Sequence, residues 1–244
     1  MSACKYLAAY FDAPMQSYGV ESRFNRRTTL PYPTRSSITG IFCAAMGIDR
    51  SDSDFLRKMA ALEMETLVLQ RFDSDKKSLN AGSLMDYHTV GARYDDVAEE
   101  RQFGRLRRAD GKSISKVEIT YRDYLTDARF GVLVSGDDSL IERIDSALRN
   151  PVWGVWFGRK CCVPASPVAQ GIYEERSAAI ERLCSLAGCD RPERVIRDAK
   201  PGDEDVAVYR DMPVTFNRLS RGSGEEFGIR RIVVSEWDSD ADQE

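Results

Sequence analysis

The 244-residue sequence holds a single histidine, His88, and only six cysteines: Cys4, Cys43, Cys161, Cys162, Cys184 and Cys189. That cysteine density is too low for the disulfide framework of a secreted domain and reads as reduced thiols. A four-thiolate zinc site from Cys161, Cys162, Cys184 and Cys189 is disfavoured, because adjacent cysteines rarely ligate one tetrahedral ion and the spacing is not a C-x2-C repeat. Buried thiols, with no metal and no cofactor, are the expectation. No window approaches the roughly 18 consecutive apolar residues of a membrane span. The opening MSACKYLAAYFDAPMQ carries Lys5 and Asp12 where a secretory signal needs a longer apolar stretch, so a cytoplasmic chain with no membrane partner is expected. Internal repeats, a Walker loop, a nucleophile elbow, an H-E-x-x-H pair and a Rossmann fingerprint are missing. The enzyme classes that carry them are disfavoured.

The hydrophobic content, 42%, is enough for a real core. The net charge of −4 argues against a nucleic-acid partner only until the charges are located. Residues 236–244, EWDSDADQE, hold five acids and no base, which leaves residues 1–235 at +1. This acidic end reads as a disordered, solubilising tail. Within the body, residues 101–116 carry Arg101, Arg105, Arg107, Arg108, Lys112 and Lys116 against Asp110 alone. A basic stripe on a near-neutral body is an electrostatic footprint for RNA or DNA, and equally a pattern that a solvated loop adopts.

Periodicity sets the elements. KYLAAYF (5–11) predicts a buried strand, and Thr34 or Ser36 predicts the cap of a helix whose Ile38, Ile41, Phe42, Ala45 and Met46 share one face, closed by Gly47. A short helix follows over 53–61, then strands over 66–72 and 83–91. The stretch from Gly91 to Glu118 is too long for an ordinary connection and reads as a protruding loop or hairpin. Strands are expected over 117–125, 129–136, 152–157, 206–216 and 226–234, with helices over 138–151 and 175–188. The plan is α+β, compatible with a ferredoxin-like, RNA-recognition-motif-like unit over residues 1–150 and a smaller strand-rich part over 151–235.

Two stretches suggest phosphate chemistry. FNRRTTLPYPTRSSITG (24–40) sets Arg26, Arg27 and Arg35, with Arg23 just upstream, at the mouth of the first helix beside the Thr34 and Ser36 hydroxyls. GRK (158–160) follows an apolar run and combines a permissive glycine with Arg159 and Lys160. His88 as a general base would need a partner within hydrogen-bond reach. Its sequence neighbours Asp86 and Tyr87 do not settle one, since adjacent strand residues point to opposite faces, and a structural or base-stacking role is favoured.

Taken in order, APMQSYG (13–19), PTRSS (33–37), MGIDRSD (46–52), DYHTVGAR (86–93), TYRDYLTDARF (120–130), FGRKCC (157–162) and DMPVTF (211–216) resemble the Cas-five family of CRISPR-associated proteins. The likeness is to the form found in type I-E Cascade. The resemblance implies a ferredoxin-like domain of the RAMP superfamily with a β-hairpin thumb at about residues 92–117. It implies a non-catalytic subunit that binds the 5′ handle of the guide crRNA and caps the Cas-seven (CasC) backbone. Contact with the large subunit (CasA or Cas-eight type) and, through the complex, with target DNA is implied too. The residues it points to are Gln16, Ser17, Arg35, Ser36, Tyr87, His88, Thr89, Arg93, Arg159 and Lys160, to which charge adds Arg23, Arg26, Arg105, Arg107 and Arg108. The alternative is a metal-independent endoribonuclease that processes repeat RNA, as a related type I-C subunit does with a tyrosine, a lysine and a histidine.

Overall fold

The computed structural model describes residues 5–19, 25–69, 71–72, 78–79, 82–90, 118–217 and 227–238. The chain begins with β1 (Tyr6–Asp12), β2 (Met15–Gln16) and β3 (Arg26–Arg27), then α1 (Arg35–Met46) and α2 (Ser53–Ala60). After β4 (Glu63–Leu69) come the short β5 (Arg71–Phe72) and β6 (Ser78–Leu79), then β7 (Gly82–Val90), β8 (Glu118–Thr126) and β9 (Arg129–Ser135). The last stretch holds α3 (Asp138–Arg149), β10 (Ala169–Tyr173), α4 (Arg176–Ala187), β11 (Pro192–Asp198), β12 (Ala207–Pro213) and β13 (Phe227–Glu236).

β1 is apolar without alternation because both of its faces are covered. Leu7, Ala9 and Phe11 point into a core with α1, α2 and α3, while Ala8 and Tyr10 point into a second core with α4. It lies inside a seven-stranded sheet ordered β10-β1-β9-β4-β11-β13-β12, in which all neighbours run antiparallel. α1 and α2 link β1 to β4, and α3 links β9 to β10. Each linked pair runs parallel with one antiparallel strand between.

The helices end where local chemistry says they should. Thr34 accepts from the Ser37 amide, and Gly47 at φ 68° takes the left-handed conformation that closes α1. Asp137 caps α3 through the Leu140 amide, and Leu140, Ile141, Ile144 and Leu148 form its buried stripe. The described helices are at most 12 residues long, and none is long and apolar enough to cross a membrane.

Three expectations change. VWGVWF (152–157) is not a strand. The Val152 and Trp153 amides donate to the carbonyls of Ala45 and Ala44, so the segment finishes α1 instead of joining a sheet. β10 and β11 go unread in the sequence, yet β10 pairs with β1 and β11 with β4. Residues after 150 therefore extend the sheet on both sides of β1, β9 and β4. Glu236 and Trp237, the start of the expected tail, are folded: Glu236 ends β13, and the Trp237 amide donates to the Glu193 carbonyl at 3.0 Å. The expected thumb at 92–117 lies outside the described residues.

Candidate nucleic-acid interface

The mouth of α1 already holds an anion. The Arg35 amide donates to Asp211 Oδ2 at 2.9 Å, so a carboxylate from β12 meets the partial positive charge of the helix start. The Arg35 side chain turns inward and is 1% exposed. Its Nη1 donates to Asp198 Oδ2 at 2.7 Å, and its Nη2 to the carbonyls of Met59, Ala60 and Leu62. Arg230 completes the group, donating from Nη1 to Asp211 at 3.1 Å and from Nε to Asp198. Burial pushes the Arg35 guanidinium below its ordinary pKa; Asp198 raises it, Arg230 lowers it and Asp211 raises it again. The expectation that Arg35 forks onto a phosphate is corrected: its side chain is enclosed, with both Nη groups donating to protein acceptors and Nε buried without a partner.

The MQSYG turn is also internal. Gln16 is buried, donates to the Ala128 carbonyl at 2.6 Å and accepts from the Tyr18 hydroxyl at 2.5 Å. Burial, and after it the neighbouring Cys162, raises the Tyr18 phenol well above its ordinary value. Ser17 donates to the Asp123 carbonyl at 3.2 Å. Gly158 lets the FGRK loop reach this turn: at φ 97°, a Cβ there would lie 1.8 Å from the Ser17 carbonyl oxygen. Gln16 is thus a structural clamp, and the ligand-facing role expected of it is corrected for the same reason as for Arg35.

A candidate surface lies beside these enclosed groups. A groove of about 450 Å³ runs past the start of α1 and is lined by Ser17, Ser36, Ser37, Arg27, Arg50 and Arg159, with no carboxylate among its described lining residues. Arg159 spans it, donating to the Asp123 and Arg27 carbonyls at 3.1 Å each, with its guanidinium carbon 4.3 Å from the Tyr124 ring centre. Lys160 sits 5.5 Å from the Trp156 ring centre at an adjoining cleft. Arg50 and Trp153, which the sequence reading passed over, belong here. The signal for Arg50 was its place in MGIDRSD just beyond Gly47; Trp153 was hidden by the strand assignment.

A second surface lies on the sheet ordered β2-β8-β3, with β7 along the other side of β8. Register places Arg26, Tyr121 and Tyr87 opposite one another on one face. Tyr87 and Tyr121 are 56% and 39% exposed, with ring centres 5.5 Å apart in an edge-on arrangement. Thr89 shares this face, while His88 points to the other, opposite Thr120, with Nδ1 enclosed and unpartnered. β7 and β8 lead into and out of residues 91–117. Arg23, Arg93, Arg105, Arg107 and Arg108 lie outside the described residues.

The cysteines do not converge. Cys162 lies in the core under α1, and Cys184 and Cys189 lie in the core under α4, on the other face of the sheet. A hydrogen bond with Cys189, then burial, raises the Cys184 thiol, and burial pushes Cys43 up to about 12. No metal-binding cluster occurs among the described residues.

Known proteins match this chain along nearly its whole length. It is 29% identical to the CRISPR system Cascade subunit CasD of Escherichia coli (strain K12), over 95% of this chain and 94% of that protein. A solved structure described as a CRISPR RNA-guided surveillance complex contains a chain 27% identical, with a TM-score of 0.69, over 95% of this chain and 89% of its own. A crystal structure of a Cas protein is 26% identical with a TM-score of 0.60, over 96% of each chain. The family described as CRISPR-associated protein (Cas_Cas5) matches residues 6–230. The chain belongs to the Cas-five family of CRISPR-associated proteins.

Proposed function

We propose that this protein is a non-catalytic crRNA-binding subunit of a type I, I-E-like Cascade surveillance complex, holding the 5′ handle of the guide and capping the Cas-seven backbone. In this reading the first four sheet strands, β10-β1-β9-β4 with α1 and α3, are the ferredoxin-like unit, and residues 91–117 between β7 and β8 form the thumb. The large subunit and target DNA are reached through the complex. The observation that carries the reading is the groove beside α1, walled by cations and hydroxyls with no described carboxylate, in a chain whose relatives include a Cascade subunit. Arg27, Arg50 and Arg159 suit phosphates, and the Arg26–Tyr121–Tyr87 row suits unpaired bases, which stack on aromatic faces.

The endoribonuclease alternative needs a base with a reachable partner. His88 projects away from Tyr87 and Tyr121, which favours binding over cleavage. The test incubates the full chain with labelled repeat RNA in EDTA. Binding without cutting is expected, whereas specific cleavage that is lost in His88→Ala would establish the alternative.

A further inference from the structure

Beside the basic groove, and sharing Gly40, Ala44, Arg50, Trp156 and Phe216 with it, opens a cleft of about 760 Å³. Its lining is largely apolar: Ile48, Val152, Trp153, Trp156, Phe216 and Phe227. Its charges are Arg50 and Lys160, and no carboxylate occurs among the described lining residues. The loop that carries the tryptophans is built in place. The Val152 and Trp153 amides take the last carbonyls of α1, and Val152 packs where a Cβ on Gly47 would come within 2.8 Å of it. Gly154 leaves room for the Trp156 ring, which would lie 2.6 Å from any Cβ there. Trp153 nevertheless stays 47% exposed. A half-exposed indole on a backbone held in place is a poor arrangement for stability alone and a good one for a flat ligand.

We infer that this cleft receives an unpaired nucleobase, stacked on Trp153, from the RNA whose phosphates follow the adjoining groove. The inference rests on the RNA-binding reading above and adds a base site to it. The continuous wall lets one strand reach both places, and the two cations at the cleft suit the phosphates flanking the inserted base. A volume inside the roughly 300–1,000 Å³ range of small-molecule sites accommodates one nucleoside.

The experiment places 2-aminopurine at successive positions of repeat-derived single-stranded RNA and titrates the full chain with each. Quenching at one position is expected. Trp153→Ala should abolish that signal and weaken binding roughly 5- to 100-fold, as loss of one stacked base does. Trp153→Phe should restore both, and neither variant should change the salt dependence of binding, because no phosphate contact is lost. Salt-dependent binding with no position-specific quenching, and with Trp153→Ala unchanged in affinity, would overturn the base site and leave the RNA-binding reading intact. An effect of Trp153→Ala on assembly with protein partners but not on RNA affinity would make the cleft a protein-docking site instead. Absence of any RNA binding would overturn both.

Discussion

The two ends of α1 each carry an arginine, and they behave in opposite ways. Arg35, the first helical residue, is enclosed with Asp198, Asp211 and Arg230, while Arg50, just past the last turn, stands exposed at the edge of a cationic groove. Local sequence points the other way: Arg35 lies in PTRSS, which has no acid, and Arg50 lies in GIDRSD, between Asp49 and Asp52. Their surroundings differ because two aspartates from β11 and β12, 163 and 176 residues away, reach Arg35, and no described carboxylate lines the groove beside Arg50. A cation belongs to a binding surface only after the fold has failed to pair it, and that pairing is a long-range property.

The sharpest way to break this contrast is to remove each arginine in turn and compare stability. Arg35→Ala takes a buried cation from Asp198 and a donor from the Met59, Ala60 and Leu62 carbonyls, and should destabilise the fold by about 1–3 kcal/mol, read as a clear drop in Tm. Arg50→Ala should stay within about 0.5 kcal/mol of the parent. Equal losses would erase the distinction. Gly158→Ala probes the loop that ties the groove to the MQSYG turn. With a positive φ and a Cβ placed against the Ser17 carbonyl, it should cost at least about 2 kcal/mol by chemical denaturation.

A smaller effect sharpens the account of the interior under α1. Burial, and secondarily Asp52, raises the Cys43 thiol from an ordinary 9.0 to about 12. A raised value means that its contribution is fully present below pH 9. Stability is then lost between pH 9 and 12, where the unfolded thiol ionises and the buried one resists. Cys43→Ala should flatten part of that alkaline decline in a denaturation series. An unchanged slope would show that Cys43 ionises as freely in the folded chain as in the unfolded one.

Local signals in the sequence identified what local chemistry decides. Thr34 and Gly47 bracket α1, and the unbroken apolar run of β1 marks a buried strand. β11 escaped because PERVIRD has only Val195 and Ile196 as a pair of large apolar side chains. Its place between β4 and β13 is set by pairing partners elsewhere in the chain. The site was half legible. Motif order points to Ser36 and Arg159, which line the groove, and to the exposed Tyr87, but it does not show that Arg35 is enclosed by Asp198 or Gln16 by Ala128, partners 163 and 112 residues away. Trp153 was missed because an apolar run beside a helix end looks like a strand until its amides are seen capping that helix.

In the proposed binding mode the exposed groove cations, and not the enclosed Arg35 and Arg230, meet RNA phosphates. Its most direct test is the slope of log affinity against log salt for single-stranded repeat RNA, measured for the parent chain and Arg50→Ala. Each lost phosphate contact should make the slope shallower by about 0.7. Arg50→Ala should show such a change with the fold intact; an unchanged slope and affinity would remove Arg50 from the RNA contact.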